Sequence, residues 1–172
     1  MNTYERILTR VRFWIGVFII GLVLSGVTAF PLVWEINLLA RLLQIDPNVP
    51  PDVYTGLRFW IAFVRQGVTE TDRAYPFMAY GTDWLAFGHL IIALFFVGPL
   101  RDPKRNVWCL HVGLIACALV FPLALICGPL RGIPFYWRLI DCSFGILGAV
   151  PLLLALRLLS QIKSSDVAKG LQ

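Results

Sequence analysis

Long apolar runs alternate with short charged segments along the chain. After a basic start, residues 13–33 carry no charge, and three further apolar runs cover about residues 77–100, 107–128 and 135–156. About twenty apolar residues in a helix cross a hydrocarbon layer of ~30 Å. The pattern therefore predicts four transmembrane helices.

The first apolar run has features of its own. A basic start before an apolar run is also typical of a signal peptide, but this run is long for one, so we expect a retained anchor. Pro31 lacks an N–H and clashes with the preceding turn, which predicts a kink near the outer end of the run. Four small or polar residues recur on one helical stripe and predict its packing face: Gly21, Ser25, Thr28 and Glu35.

Residues 35–76 are mixed in character and contain no run long enough to span, which predicts the main extramembrane segment. Within it, apolar residues follow helical spacing at Val53, Leu57, Trp60, Ile61 and Val64. Asp52 follows two prolines and is the predicted N-cap of this helix. An amphipathic helix of this kind is expected to lie flat on the membrane, and a lid over the mouth of the bundle is the alternative.

Composition supports a membrane protein. Of the 172 residues, 58% are hydrophobic and 15% are charged, whereas soluble domains are roughly 45–50% apolar and about 25% charged. The predicted fold is an all-α antiparallel bundle of four transmembrane helices, with an amphipathic interfacial helix between spans one and two. The whole chain, 1–172, is expected to form a single integral membrane domain.

The distribution of basic residues predicts an orientation. Nine lie on the side of the termini: Arg6, Arg10, Arg12, Arg101, Lys104, Arg105, Arg157, Lys163 and Lys169. Six lie on the other side: Arg41, Arg58, Arg65, Arg73, Arg131 and Arg138. By the positive-inside rule both termini are cytoplasmic, in a plasma (bacterial inner) membrane. Because these residues flank apolar runs and do not gather on one face, no nucleic-acid partner is expected despite the net charge of +5.

Three titratable residues fall inside the apolar runs: Asp83, His89 and Asp141. A charged side chain in a span costs on the order of 3 kcal/mol, so these groups are expected to face protein or trapped water. On span two, His89 shares a stripe with Thr82, Ala86 and Ala93. On span four, Asp141 shares one with Arg138, Cys142, Gly145 and Gly148.

These groups allow two interpretations. In the first they line a polar pocket in the outer half of the bundle, with seven ligand-binding residues: Glu35, Thr82, Asp83, His89, Arg131, Arg138 and Asp141. In the second they serve the fold, since Arg138 and Asp141 can pair at i, i+3. Asp83 then caps its helix or binds an arginine, and His89 bonds a backbone carbonyl across the bundle.

No metal or cofactor is expected. The four cysteines show no CxxC spacing, which argues against zinc. His89 and His111 on adjacent spans could ligate a haem iron, but they differ in depth by roughly 10 Å at ~1.5 Å per residue. A disulfide between Cys127 and Cys142 would require the connecting hairpin to dip into the membrane.

Two functions fit this pattern. The preferred one is a non-catalytic membrane protein that binds a partner subunit or an amphipathic lipid-like ligand. The alternative is a membrane enzyme performing isomerisation or hydrolysis on a lipid or isoprenoid substrate, with His89 as base and Asp83 or Asp141 as its orienting or acidic partner. The expected partners are membrane lipids together with a membrane protein or a second copy of the chain.

Overall fold

The computed structural model describes residues 3–168 and residue 170, and the side chains of 163–168 lie outside that description. Its α-helices are α1 (Thr3–Ala29), α2 (Leu32–Leu42), α3 (Gly56–Ala74), α4 (Tyr80–Phe95), α5 (Val97–Arg101), α6 (Val107–Pro122), α7 (Gly128–Leu130) and α8 (Phe135–Ala168). The other helical elements are two 3₁₀ turns, Pro51–Val53 and Pro76–Ala79, and a π-helical segment, Leu123–Cys127; the described residues include no strand. The predicted all-α class is confirmed.

Four helical stretches are long and apolar enough to cross a membrane: Thr3–Ala29, Pro76–Arg101, Val107–Leu130 and Phe135–Ile162. The protein is therefore a multi-pass integral membrane protein, as predicted. The first stretch departs most from the expected 13–33, since it begins ten residues earlier and ends four residues earlier. The helix includes Arg6 and Arg10 because charged residues can continue a helix that extends out of the membrane. Charge shortens the part of the helix that lies in lipid, and it does not end the helix.

The chain forms two compact units. The terminal unit comprises Met1–Leu22 and Ile92–Gln172, and the middle unit comprises Val23–Ile91. The terminal unit has a core to which all four spans contribute: Val11, Ile15 and Phe18 from the first, Phe96 from the second, Leu110 and Cys117 from the third, and Leu152, Ala155, Leu159 and Ile162 from the fourth. The rings of Phe18 and Phe96 are 4.6 Å apart at the centre of this cluster. The four spans therefore form a four-helix bundle around this core.

Two glycines allow the third and fourth spans to pack closely in the terminal unit. A Cβ on Gly145 would lie 2.6 Å from the backbone oxygen of Cys117, and one on Gly148 would lie 2.9 Å from the Cys117 sulfur. In membranes, such small residues let helix backbones approach and gain packing contacts. Gly145 and Gly148 of the stripe on span four therefore lie at the contact with the third span.

The middle unit begins where the first span breaks. α1 ends at Ala29, and Pro31 adopts φ −85° and ψ 50°, so the kink predicted at Pro31 is a complete break between two helices. The N–H of Glu35 then donates to the Pro31 oxygen at 2.9 Å and starts α2, a helix that the sequence pattern did not predict. α2 packs against α3, with Ile36, Ala40, Ile61 and Ala62 buried.

The predicted N-cap of the amphipathic helix is wrong. Asp52 lies in the 3₁₀ turn Pro51–Val53, and α3 begins only at Gly56, after Thr55. Gly56 has φ of 57°, a left-handed conformation that glycine adopts at little cost. Arg58 fixes the preceding loop by donating to the Gln44 oxygen at 2.8 Å. The prolines therefore form a separate turn, and α3 starts after the chain reverses.

The predicted packing stripe of the first span is also wrong. Gly21 is exposed and has open space where a Cβ would lie, and Thr28 is exposed as well. Gly26 is the buried glycine instead, and a Cβ there would lie 2.9 Å from the Ala86 oxygen and 3.2 Å from the His89 Cβ. Helical spacing identified small residues, but it could not tell which of two faces meets a neighbour.

Candidate functional site

The predicted ligand-binding residues are divided between the two units. Glu35, Thr82, Asp83 and His89 belong to the middle unit, whereas Arg131, Arg138 and Asp141 belong to the terminal unit. Arg131 is exposed, and the other six are half-buried. No charged or polar side chain in the described residues is fully buried. A pocket shared by both sets stays a prediction.

His89 forms a hydrogen bond within its own helix. Its Nδ1 lies 2.8 Å from the Leu85 oxygen, and because a carbonyl oxygen only accepts, Nδ1 carries the hydrogen. The expectation of a bond across the bundle is therefore wrong, since the acceptor lies one turn earlier on α4. The other ring nitrogen, Nε2, takes no part in this bond. The Cβ of His89 packs beside Gly26.

Asp83 lies in the first turn of α4, where the positive end of the helix dipole stabilises a carboxylate. It precedes His89 by six residues, which corresponds to ~9 Å along the axis and roughly 120° around it. The two side chains thus leave α4 on different faces. The acid/base function that pairs them stays a prediction.

Arg138 and Asp141 do not form the predicted pair. The Arg138 guanidinium carbon lies 5.1 Å from the centre of the Phe135 ring. Its Nε is buried and has no hydrogen-bond acceptor. In the described part of the chain, no ion pair joins Arg138 to Asp141. The side chain extends instead along Gly128, where a Cβ would lie 2.8 Å from the Arg138 Cγ.

An open groove of about 790 Å³ lies within the middle unit. Most of its wall is apolar: Phe30, Pro31, Leu32, Val33, Trp34, Val68, Met78 and Ala79. Four polar residues complete the lining with Gly67: Asn37, Thr71, Asp72 and Thr82. Of the predicted ligand-binding residues in this unit, only Thr82 lines the groove.

Two polar side chains of this groove, Asn37 and Thr82, have defined partners. The Asn37 amide nitrogen donates to the Val33 oxygen at 2.7 Å, and its Oδ1 accepts from Arg65 Nε at 2.7 Å. The Thr82 hydroxyl donates to the Ala79 oxygen at 2.8 Å. Because that hydroxyl has given its one hydrogen, its oxygen is left as an acceptor for a ligand.

The cysteines and the second histidine form no metal site. All four cysteines are free, so Cys127 and Cys142 are not joined. His111 is exposed, and its Nδ1 lies 3.1 Å from the Val107 oxygen. Within the described residues there is no group of three or more His, Cys, Asp or Glu side chains placed to hold a metal ion.

The sequence analysis missed Asn37, Gly67, Thr71 and Asp72 as groove residues. A signal for part of this set was present, since Ile36, Ala40 and Leu43 follow helical spacing and indicate α2. Once α2 is placed, Asn37 comes directly after the buried Ile36, at the edge of α2 that faces α3. Gly67 and Asp72 carry no comparable signal.

Comparison of this chain with known protein families, with curated protein sequences and with solved structures finds no match.

Proposed function

We propose that the protein binds an amphipathic, lipid-like molecule in the groove of the middle unit. The observation that supports this is the groove itself, which joins an apolar wall to a few polar groups. Its volume of about 790 Å³ falls in the range of roughly 300–1,000 Å³ that is usual for small-molecule sites. An acyl, isoprenoid or sterol-like body fits the apolar wall, and a small polar head fits beside Thr82.

The charges of the lining favour a neutral or cationic head. Asp72 is the charged residue of the groove, and no Lys or Arg is among the described residues that line it. The Thr82 oxygen and the Asp72 carboxylate both accept hydrogen bonds, so they suit a hydroxyl or amino group. A phosphate or carboxylate head would meet like charge here without a compensating cation.

This proposal is tested by filling the groove with a larger side chain. Gly67 lines it and has no atom within 4 Å of its Cβ position, so the Cβ of Gly67→Leu meets no neighbour and the rest of the side chain occupies the groove. Gly16→Leu is the matched control, because Gly16 is also a helical glycine with open space and lies in α1 of the terminal unit. Both changes gain similar helix propensity, about 0.8 kcal/mol.

Each protein is purified in mild detergent, and co-purifying lipids are extracted and quantified by mass spectrometry. We expect Gly67→Leu to lose one lipid species with a hydroxyl or amino head, which wild type and Gly16→Leu retain. Equal lipid content in all three proteins would refute binding in this groove.

We further propose that both termini lie in the cytoplasm of a bacterial cell. The support is the excess of basic residues beside the termini, nine against six. The groove residues of α2 and α3 would then lie at the opposite side of the membrane, where they could take up a ligand from the outer leaflet.

A further inference from the structure

We propose that the hairpin between the third and fourth spans binds the phosphate group of a membrane lipid, with Arg138 as the main contact and Arg131 as the second cation. This site lies within the terminal unit. It differs from the groove of the middle unit both in residues and in the charge of its ligand. Neither site depends on the other.

The position of Arg138 is fixed before any ligand arrives. Its aliphatic stem lies where a side chain at Gly128 would be, with Cγ 2.8 Å from the Cβ position of that residue and Cδ nearer still. Its guanidinium lies over the Phe135 ring at 5.1 Å, a cation–π contact. A side chain held at both ends loses little further freedom on binding.

The guanidinium lacks an acceptor within the protein. Nε is buried without one, and no described residue pairs with the rest of the group. The Arg138 side chain makes no hydrogen bond to a described residue, and Nε is its only nitrogen that is buried without a partner, so the Nη atoms are accessible to an external acceptor. Arg138 lies three residues into the fourth span, ~4.5 Å below its start, which is the depth of lipid headgroups. A phosphate there satisfies the planar fork with two hydrogen bonds.

Arg131 places a second positive charge at the same loop. It is exposed, and its N–H donates to the Cys127 and Gly128 oxygens, each at 3.1 Å. The N–H of Ile133 also donates to the Gly128 oxygen, at 3.0 Å. The turn therefore closes around the glycine that accommodates Arg138. Residues 129–140 contain no acidic side chain, and the next one along the chain, Asp141, lies one turn deeper in α8.

The surroundings favour a lipid over a soluble phosphate. Leu130 and Phe135 flank the two arginines, with exposed fractions of 79% and 59%, and Tyr136 next to them is 39% exposed. Apolar side chains exposed beside basic ones at the end of a span are typical of the membrane interface. A soluble ion would leave this apolar surface uncovered, whereas the glycerol and acyl chains of a lipid cover it.

The test measures lipid binding to delipidated protein by native mass spectrometry, with dioleoyl phosphatidylglycerol as the probe. We expect Arg138→Gln to weaken binding about tenfold, the loss typical of a bidentate charge-assisted contact. The affinity of Arg138→Lys should lie between those of wild type and Arg138→Gln, because lysine keeps the charge and loses the planar pair of donors. Gly128→Ala should weaken binding as much as Arg138→Gln while leaving every charge in place, because the added methyl displaces the arginine stem.

Two controls separate this site from general effects. Arg73→Gln removes the same charge from an exposed position outside the spans and should leave affinity unchanged. Gly67→Leu, which fills the groove, should also bind the probe as wild type does. The proposal for the groove and the proposal for the hairpin can therefore fail independently of each other. Circular dichroism confirms the helical fold of each variant, and if Gly128→Ala does not fold, the arginine variants carry the test.

Three outcomes would overturn the proposal. The first is equal affinity of Arg138→Gln and Arg73→Gln for the probe. The second is equally tight binding of dioleoylglycerol, which has the same acyl chains without the phosphate. The third is displacement of the lipid by an equal concentration of glycerol phosphate, which would assign the site to a soluble phosphate.

Discussion

Arg65 on α3 donates a hydrogen bond from Nε to Oδ1 of Asn37 on α2 at 2.7 Å. Asn37 also donates to the Val33 oxygen of its own helix, so its amide orientation is set by both bonds. Arg65 lines a second groove, of about 510 Å³, beside the loop of residues 45–51, whereas Asn37 lines the larger one. This bond therefore joins α2 to α3, and both helices contribute to the wall of the larger groove.

Replacing Asn37 should loosen the α2–α3 pair. Asn37→Leu removes the acceptor of a half-buried arginine, which costs on the order of 1–2 kcal/mol. Gln66→Leu is the control, because it removes an exposed side-chain bond, from Gln66 to Glu70 at 2.8 Å, that contributes little. Hydrogen exchange followed by mass spectrometry should show faster exchange in α2 and α3 for the first variant only. Similar exchange in both variants would argue against a structural role for the bond.

Gly26 should tolerate no larger side chain. In Gly26→Ala, the new methyl would lie 2.9 Å from the Ala86 oxygen, which belongs to the backbone and moves only if α4 moves. Overpacking of this kind costs roughly 1–3 kcal/mol. Gly21→Ala adds the same methyl to the same helix in open space and should be neutral or slightly stabilising. Thermal unfolding in detergent measures the difference, and equal midpoints would contradict the contact.

The sequence was sufficient for the fold class because lipid imposes a simple length requirement on apolar runs. It identified the position of the break at Pro31 for an equally local reason, the missing N–H of proline. It did not identify the buried face of α1, since Gly21 and Gly26 are equally small and only the neighbouring α4 distinguishes them. Nor could it place Arg138, whose partners are Gly128 and a ring on its own helix and not the carboxylate one turn away.

The cysteines should differ in reactivity according to their exposure. Cys127 is exposed, whereas Cys117 and Cys142 are only 9% and 6% exposed. Incubation with N-ethylmaleimide without reductant should therefore modify Cys127 first, as located by peptide mass spectrometry. Cys127→Ser should remove this rapid adduct and leave the slower ones. Rapid modification of Cys117 in the folded protein would contradict its burial against Gly148.

The proposed orientation predicts opposite results for two reporter fusions. Alkaline phosphatase fused after Gly132, in the hairpin between spans three and four, should be active because the proposed orientation places this loop outside the cytoplasm. The same reporter fused after Gln172 should be inactive, whereas a green fluorescent protein there should fluoresce. The reverse pattern would invert the topology and place the groove of the middle unit at the cytoplasmic face.

The π-helical segment Leu123–Cys127 determines which residue of the third span meets Arg138. A π turn holds one residue more than an α turn, so the helix after Cys127 is rotated by about 100° relative to a regular continuation. If the same residues formed a regular α-helix instead, the Cys127 side chain would take the direction now occupied by Gly128. Shortening the segment by one amino acid should restore a regular helix and still deliver the glycine to the arginine, whereas an insertion should misalign the two spans.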